Sequence, residues 1–168
     1  MPMLTFSRSW EQQLLDQTKK QTIRANCPYW FRQAGYRSDR LGSSLERLAS
    51  LDPETAFREN RHLAPSHFAN NDSVLHIWLG NPRTRAPWVR KLGRSFDKWT
   101  LRPIYGRDFS DHIAEMDGFG SAQELKQGLM ELHGMTMGEV EEHLWVVIRW
   151  EWKEGPHRDH RIAAEGGS

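Results

Sequence analysis

From Leu144 to Trp152, the apolar residues Leu144, Val146, Ile148, Trp150 and Trp152 alternate against Arg149 and Glu151. Successive side chains of a strand point to opposite faces, so this spacing predicts an extended segment with one buried face. A different period precedes it. Ser121 and Glu124 make a capping-box pair, Leu125, Leu129 and Leu132 form one apolar stripe, and Gly134 stands where a helix would end. Gly128 inside that helix costs roughly 1 kcal/mol against alanine unless close packing requires it. Val74 to Leu79 is nearly all apolar between Asn70-Asn71-Asp72 and Gly80-Asn81-Pro82, which predicts a central strand buried on both faces. Phe96 to Tyr105 predicts a half-buried strand ended near Pro103, with Trp78, Trp88 and Trp99 as core and rim residues. The mixture of periods predicts an α+β chain.

A length of 168 residues suits one domain with one core. No apolar run approaches the length that spans a bilayer, and the first residues lack a basic region followed by an apolar stretch, so the expected location is the cytoplasm, with no membrane partner. Cys27 is the single cysteine, which excludes an intrachain disulfide and a cysteine-rich zinc site and makes an idle thiol the expectation. The net charge of +1 hides a segregation: Arg83, Arg85, Arg90, Lys91, Arg94, Lys98, Arg102 and Arg107 face only Asp97 between Asn81 and Arg107, and Asp108 to Glu154 is acidic. A basic block of this kind can hold phosphates or simply stay solvated.

Residues 25 to 71 read as a helical insertion. Leu41, Leu45, Leu48 and Leu51 recur at helical spacing, and Asp52-Pro53-Glu54 reads as the start of a second helix. The flanks Cys27 to Phe31 and His62 to Pro65 combine aromatics with proline and are expected as packed connectors. The insertion is a cap on the core or a lid offering Tyr29 or Trp30 for stacking. Residues 153 to 168 predict a flexible tail whose His157 and His160 are solvated.

Ser9 with Gln12 predicts a capped helix over Ser9 to Leu15, with Trp10 and Leu14 on one face. Thr18-Lys19-Lys20-Gln21-Thr22-Ile23-Arg24 then leaves that helix, and alternation puts Thr22 and Arg24 on one side of a short strand. Taken alone, Lys19, Thr22 and Arg24 suit a solvated helix exit.

Taken with three further stretches, the run resembles the ASCH family. Its members are PUA-like β-barrels that include RNA-associated proteins and small amidohydrolases acting on acylated cytidines. Met3 to Phe6, Ser9 to Gln17 and Thr18 to Arg24 are similar to the family's opening strand, helix and Gly-Thr-Lys-Thr-x-Thr-x-Arg-like run, with Gln17 where the family often has glycine. Val74 to Gly80, Asn81 to Arg85 and Arg90 to Gly93 resemble its strand and basic loop; Asp117-Gly118-Phe119 before Ser121 to Leu125 resembles its acidic-Gly-Phe signature. The resemblance spans about two thirds of the chain and implies an ASCH/PUA-like domain over residues 1 to 152, a small β-barrel flanked by helices and closed by Leu144 to Trp152.

It also implies a site. Lys19, Thr22 and Asp117 occupy the positions that carry deacylation, with Thr22 as nucleophile, Lys19 as base or oxyanion stabiliser, and Asp117 as proton shuttle. The deacylating relatives have glutamate where this chain has Asp117, one methylene longer. Arg24, Arg83 and Phe119 complete the site as substrate-binding residues, Arg24 and Arg83 through forked donors. The implied substrate is a modified nucleoside or nucleotide, with no cofactor and no metal. The alternative is a non-catalytic module that binds RNA or a nucleotide through the basic block.

Overall fold

The computed structural model describes residues 2–35, 41–51, 74–96, 99–153 and 155. The expected second insertion helix from Asp52, the connector His62 to Pro65, the turn Asn70-Asn71-Asp72 and the tail histidines lie outside these residues. The chain divides into two compact units: Met1–Lys20, Ala69–Trp99 and Trp150–Ser168 form the first, Gln21–Phe68 and Thr100–Arg149 the second.

In the first unit, strand β1 (Met3–Phe6) runs parallel to β3 (His76–Leu79), which pairs antiparallel with β4 (Arg90–Arg94). β3 is the central strand of this sheet, as expected. Its burial alternates, however: Ile77 and Leu79 are buried while His76 and Trp78 are half-buried. Between β1 and the second unit, the chain makes a 3-10 turn (Arg8–Trp10) and helix α1 (Glu11–Leu15). Ser9 does not cap: its hydroxyl lies 2.7 Å from that of Ser7, and Gln12 donates to the Asp16 carboxylate instead. Of the expected face, Leu14 is buried and Trp10 half-buried, and Leu15 is buried as well. Gly80 closes β3 with a φ of 76°, and a Cβ there would come within 2.6 Å of the Trp88 ring, so the position requires glycine twice over.

In the second unit, β6 (Leu144–Arg149) lies between β2 (Gln21–Arg24) and β5 (Thr100–Tyr105), antiparallel to both. Pro103 pairs with Val146 inside β5 rather than ending it. β5 is an edge strand, where a missing N–H is tolerated. After β5 come a 3-10 turn (Gly106–Asp108) and helices α4 (Asp111–Met116), α5 (Ala122–His133) and α6 (Met137–Glu142). They gather one core from Ile23, Ile104, Phe109, Ile113, Leu125, Leu129, Val140, Trp145 and Val147. Covered in this way, β6 buries Trp145 and Val147 as well as Val146 and Ile148, beyond the single face its alternation predicts.

Two details of α5 differ from expectation. Leu132 is 76% exposed and leaves the stripe to Leu125 and Leu129. Ser121 accepts from the Glu124 N–H, but the Glu124 carboxylate accepts from Gly120, one residue outside the expected box. Gly134 ends the helix in the left-handed conformation, as its position predicts.

The insertion supplies α2 (Cys27–Gln33) and α3 (Leu41–Ser50). α2 is a correction to the connector reading: Asn26 caps it, Pro28 sits in the first turn, and Cys27, Trp30 and Phe31 are buried. Leu45 and Leu48 of α3 are buried as their spacing predicts. The architecture is therefore α+β, with two three-stranded sheets and no closed barrel among the described residues. No helix among them is long and apolar enough to cross a membrane.

Candidate functional site

Thr22 and Arg24 leave β2 on the same face, as alternation requires, and the Arg24 Nε–H donates to Thr22 Oγ1 across 3.3 Å. Thr22 is only 6% exposed. Burial lowers the Arg24 guanidinium to about 10, and the negative charge of Asp117 opposes that shift. Arg24 therefore remains a cation at neutral pH, and Asp117 is within electrostatic reach of it.

Asp117 ends α4. The Gly118 N–H donates to Glu115 and the Phe119 N–H to Ala114, while Gly118 has a φ of 98°, so Asp117-Gly118-Phe119 forms a Schellman motif. Gly118 supplies the left-handed residue of that motif. Phe119 packs over α5, where Gly128 leaves room for its ring: a Cβ on Gly128 would lie 2.9 Å from Phe119 Cε1. Helix termination thus accounts for Gly118 and Phe119 and gives Phe119 a packing role. It does not require a buried carboxylate at Asp117, whose exposure is 6%.

Lys19 belongs to the first unit. Its Nζ stands 3.8 Å from the Trp10 ring centroid and 5.9 Å from that of Phe6, and its carbonyl accepts from the Trp152 indole. The ring faces attract an ammonium and help hold the side chain at 5% exposure. Arg83, also in the first unit, sits in an exposed turn whose backbone is fixed by Asn81. Of the predicted residues, the second unit brings together Thr22 and Arg24, with Asp117 acting on Arg24, and Phe119 follows Asp117. Lys19 and Arg83 belong to the other unit.

No family model, curated protein or solved structure matches this chain.

Sequence reasoning passed over Gln21, which is fully buried. Its amide donates to Ile113 and accepts from Arg149 Nε at 2.8 Å. Alternation had placed Arg149 on a solvated face, and only the Gln21–Arg149 register pairs the two. Trp10 was visible as part of an apolar helix face, with nothing in its spacing to show that its ring would meet a lysine. Cys27 is no nucleophile: burial pushes its thiol up to about 12. Among the described residues, no group of three or more His, Cys, Asp or Glu gathers to hold a metal.

Proposed function

We propose that this chain is an ASCH-type amidohydrolase that removes an acyl group from the exocyclic nitrogen of an N4-acylated cytidine. Burial carries this reading. The buried polar or charged side chains among the described residues are Lys19, Gln21, Thr22, Ser95 and Asp117. Gln21 and Ser95 are neutral and committed to internal hydrogen bonds, Ser95 to Leu75 and Phe96. The other three are the residues that the resemblance assigns to deacylation. Lysine and aspartate seldom lie this deep, and such groups concentrate at functional sites. The left-handed Gln17, with a φ of 60° where the family often has glycine, lends further support. The PUA-like frame, a cytoplasmic location and a modified nucleoside or nucleotide as substrate are parts of the same proposal.

In the proposed reaction, Thr22 Oγ1 attacks the acyl carbonyl and forms a C–O bond, while the carbonyl oxygen becomes an oxyanion. The resemblance offers Lys19 as base or oxyanion stabiliser, and the Trp10 ring face, which favours an ammonium, supports the oxyanion role. Asp117 takes the threonine proton and delivers it to the departing amine as the C–N bond breaks. Water then cleaves the acyl ester, releasing the carboxylic acid and restoring Thr22. Arg24, donating to Oγ1, stabilises the negative charge that grows there. The test is cytidine release from N4-acetylcytidine by wild type and by folded Lys19→Ala, Thr22→Ala and Asp117→Asn variants. Activity that survives Thr22→Ala refutes the assigned nucleophile.

The exposed Arg83, Arg85 and Lys91 of the first unit favour a second reading, RNA binding without turnover. Arg90 is already paired with Glu11 at 2.8 Å. This reading predicts an affinity for short RNA that falls steeply with salt and is weakened by Arg83→Ala and Arg85→Ala.

A further inference from the structure

Arg102 of β5 and Arg149 of β6 project from the same face of the second sheet. Arg149 pairs in register with Thr100, and Arg102 lies two residues further along β5, which makes the arginines diagonal neighbours. This face carries Ile23, Ile104 and Val147, and so meets the core built with the helices. Both arginines are half-buried. Gln21 fixes Arg149 by accepting from its Nε and is itself tied to the Ile113 carbonyl of α4, so the guanidinium is oriented before any ligand arrives. Among the described residues, neither arginine makes an ion pair; Asp108 acts on Arg102 only at longer range.

We propose that Arg102 and Arg149, positioned by Gln21, form a phosphate-binding site on the face of the second sheet that carries Ile104 and Val147. The site is independent of the deacylation reading, because alternation sends Thr22 and Arg24 to the opposite face of β2. Partial burial disfavours the charged form of both guanidiniums, and the positive charge of Arg149 adds to the shift of Arg102. An anion between them reverses the sign of that interaction. A carboxylate satisfies one guanidinium fork with its two oxygens. A phosphate monoester offers three terminal oxygens and nearly two charges at neutral pH, enough to engage both forks.

The experiment uses inorganic phosphate as probe on the whole chain, against chloride at equal ionic strength. Phosphate at about ten times its Kd is expected to raise the melting temperature by about 3 °C or more. The shift is expected to vanish in Arg102→Gln and Arg149→Gln and to persist in Arg107→Gln, whose guanidinium rests on the Tyr105 ring. In the wild type, phosphate should move the NMR signals of the Gln21 side-chain amide, a readout that needs no variant to fold. Equal melting in chloride, an undiminished shift in either glutamine variant, or a Gln21 amide that phosphate leaves unmoved would each overturn the site.

Discussion

Arg24 donates its Nε–H to the hydroxyl oxygen of Thr22 along one face of β2, at 3.3 Å in a partly buried setting. A charged donor aimed at an oxygen matters most when that oxygen carries negative charge, as a nucleophilic threonine does on the way to its transition state. Replacing Arg24 with methionine keeps the bulk of the chain and removes the donor. The expected result is a fall in kcat/KM for N4-acetylcytidine of about 10- to 100-fold, the worth of a hydrogen bond to a charged group, with part of the loss recovered in Arg24→Lys.

Gly128 sets two effects of opposite sign against each other. Alanine in the middle of α5 should gain about 1 kcal/mol of helix propensity, but its Cβ would press on Phe119 Cε1 at 2.9 Å, and overpacking costs about 1–3 kcal/mol. The expected outcome for Gly128→Ala is a net loss of stability in urea unfolding. Trimming the ring in a Phe119→Leu background should turn the same substitution favourable, and a double-mutant cycle measures the coupling.

Much of the fold was legible where one period ran uninterrupted. β6, α5 with its Gly134 cap, and α3 with Leu45 and Leu48 all follow from spacing. What spacing could not reveal was set by the second layer of packing. β6 is buried on both faces because it is the middle strand and helices cover it, which changes Arg149 from a solvated residue into one held by Gln21. Cys27 to Phe31 concealed a helix because its proline and aromatics also suit a packed connector, and the deciding cap, Asn26, lies just outside that run. Of the candidate site, alternation placed Thr22 and Arg24 together on β2. The burial of Lys19, by contrast, depends on Trp10 and Phe6, whose approach no local pattern encodes.

Gln17 adopts a φ of 60°, a region that costs a side-chain-bearing residue roughly 1–2 kcal/mol relative to its ordinary conformations. Gln17→Gly should therefore raise the unfolding free energy by about 1 kcal/mol, part of the relief being offset by the freer unfolded chain. Gln17→Val should lower it, since a β-branched side chain tolerates this conformation least.

Cys27 is fully buried, and its thiol is raised to about 12. The native protein should resist alkylation by iodoacetamide at pH 8, whereas protein unfolded in guanidinium should react promptly. The sign of the pH dependence follows: between about 9 and 12 the unfolded thiol loses its proton while the folded one keeps it, so this group makes stability fall as pH rises through that window.

The measurement closest to the central claim is the release of cytidine from N4-acetylcytidine by the wild-type protein, followed beside Thr22→Ala with its fold verified by circular dichroism. Steady turnover by the wild type and its loss in the variant are expected. A wild-type protein that turns over neither N4-acetylcytidine nor other N4-acylcytidines would contradict the claim.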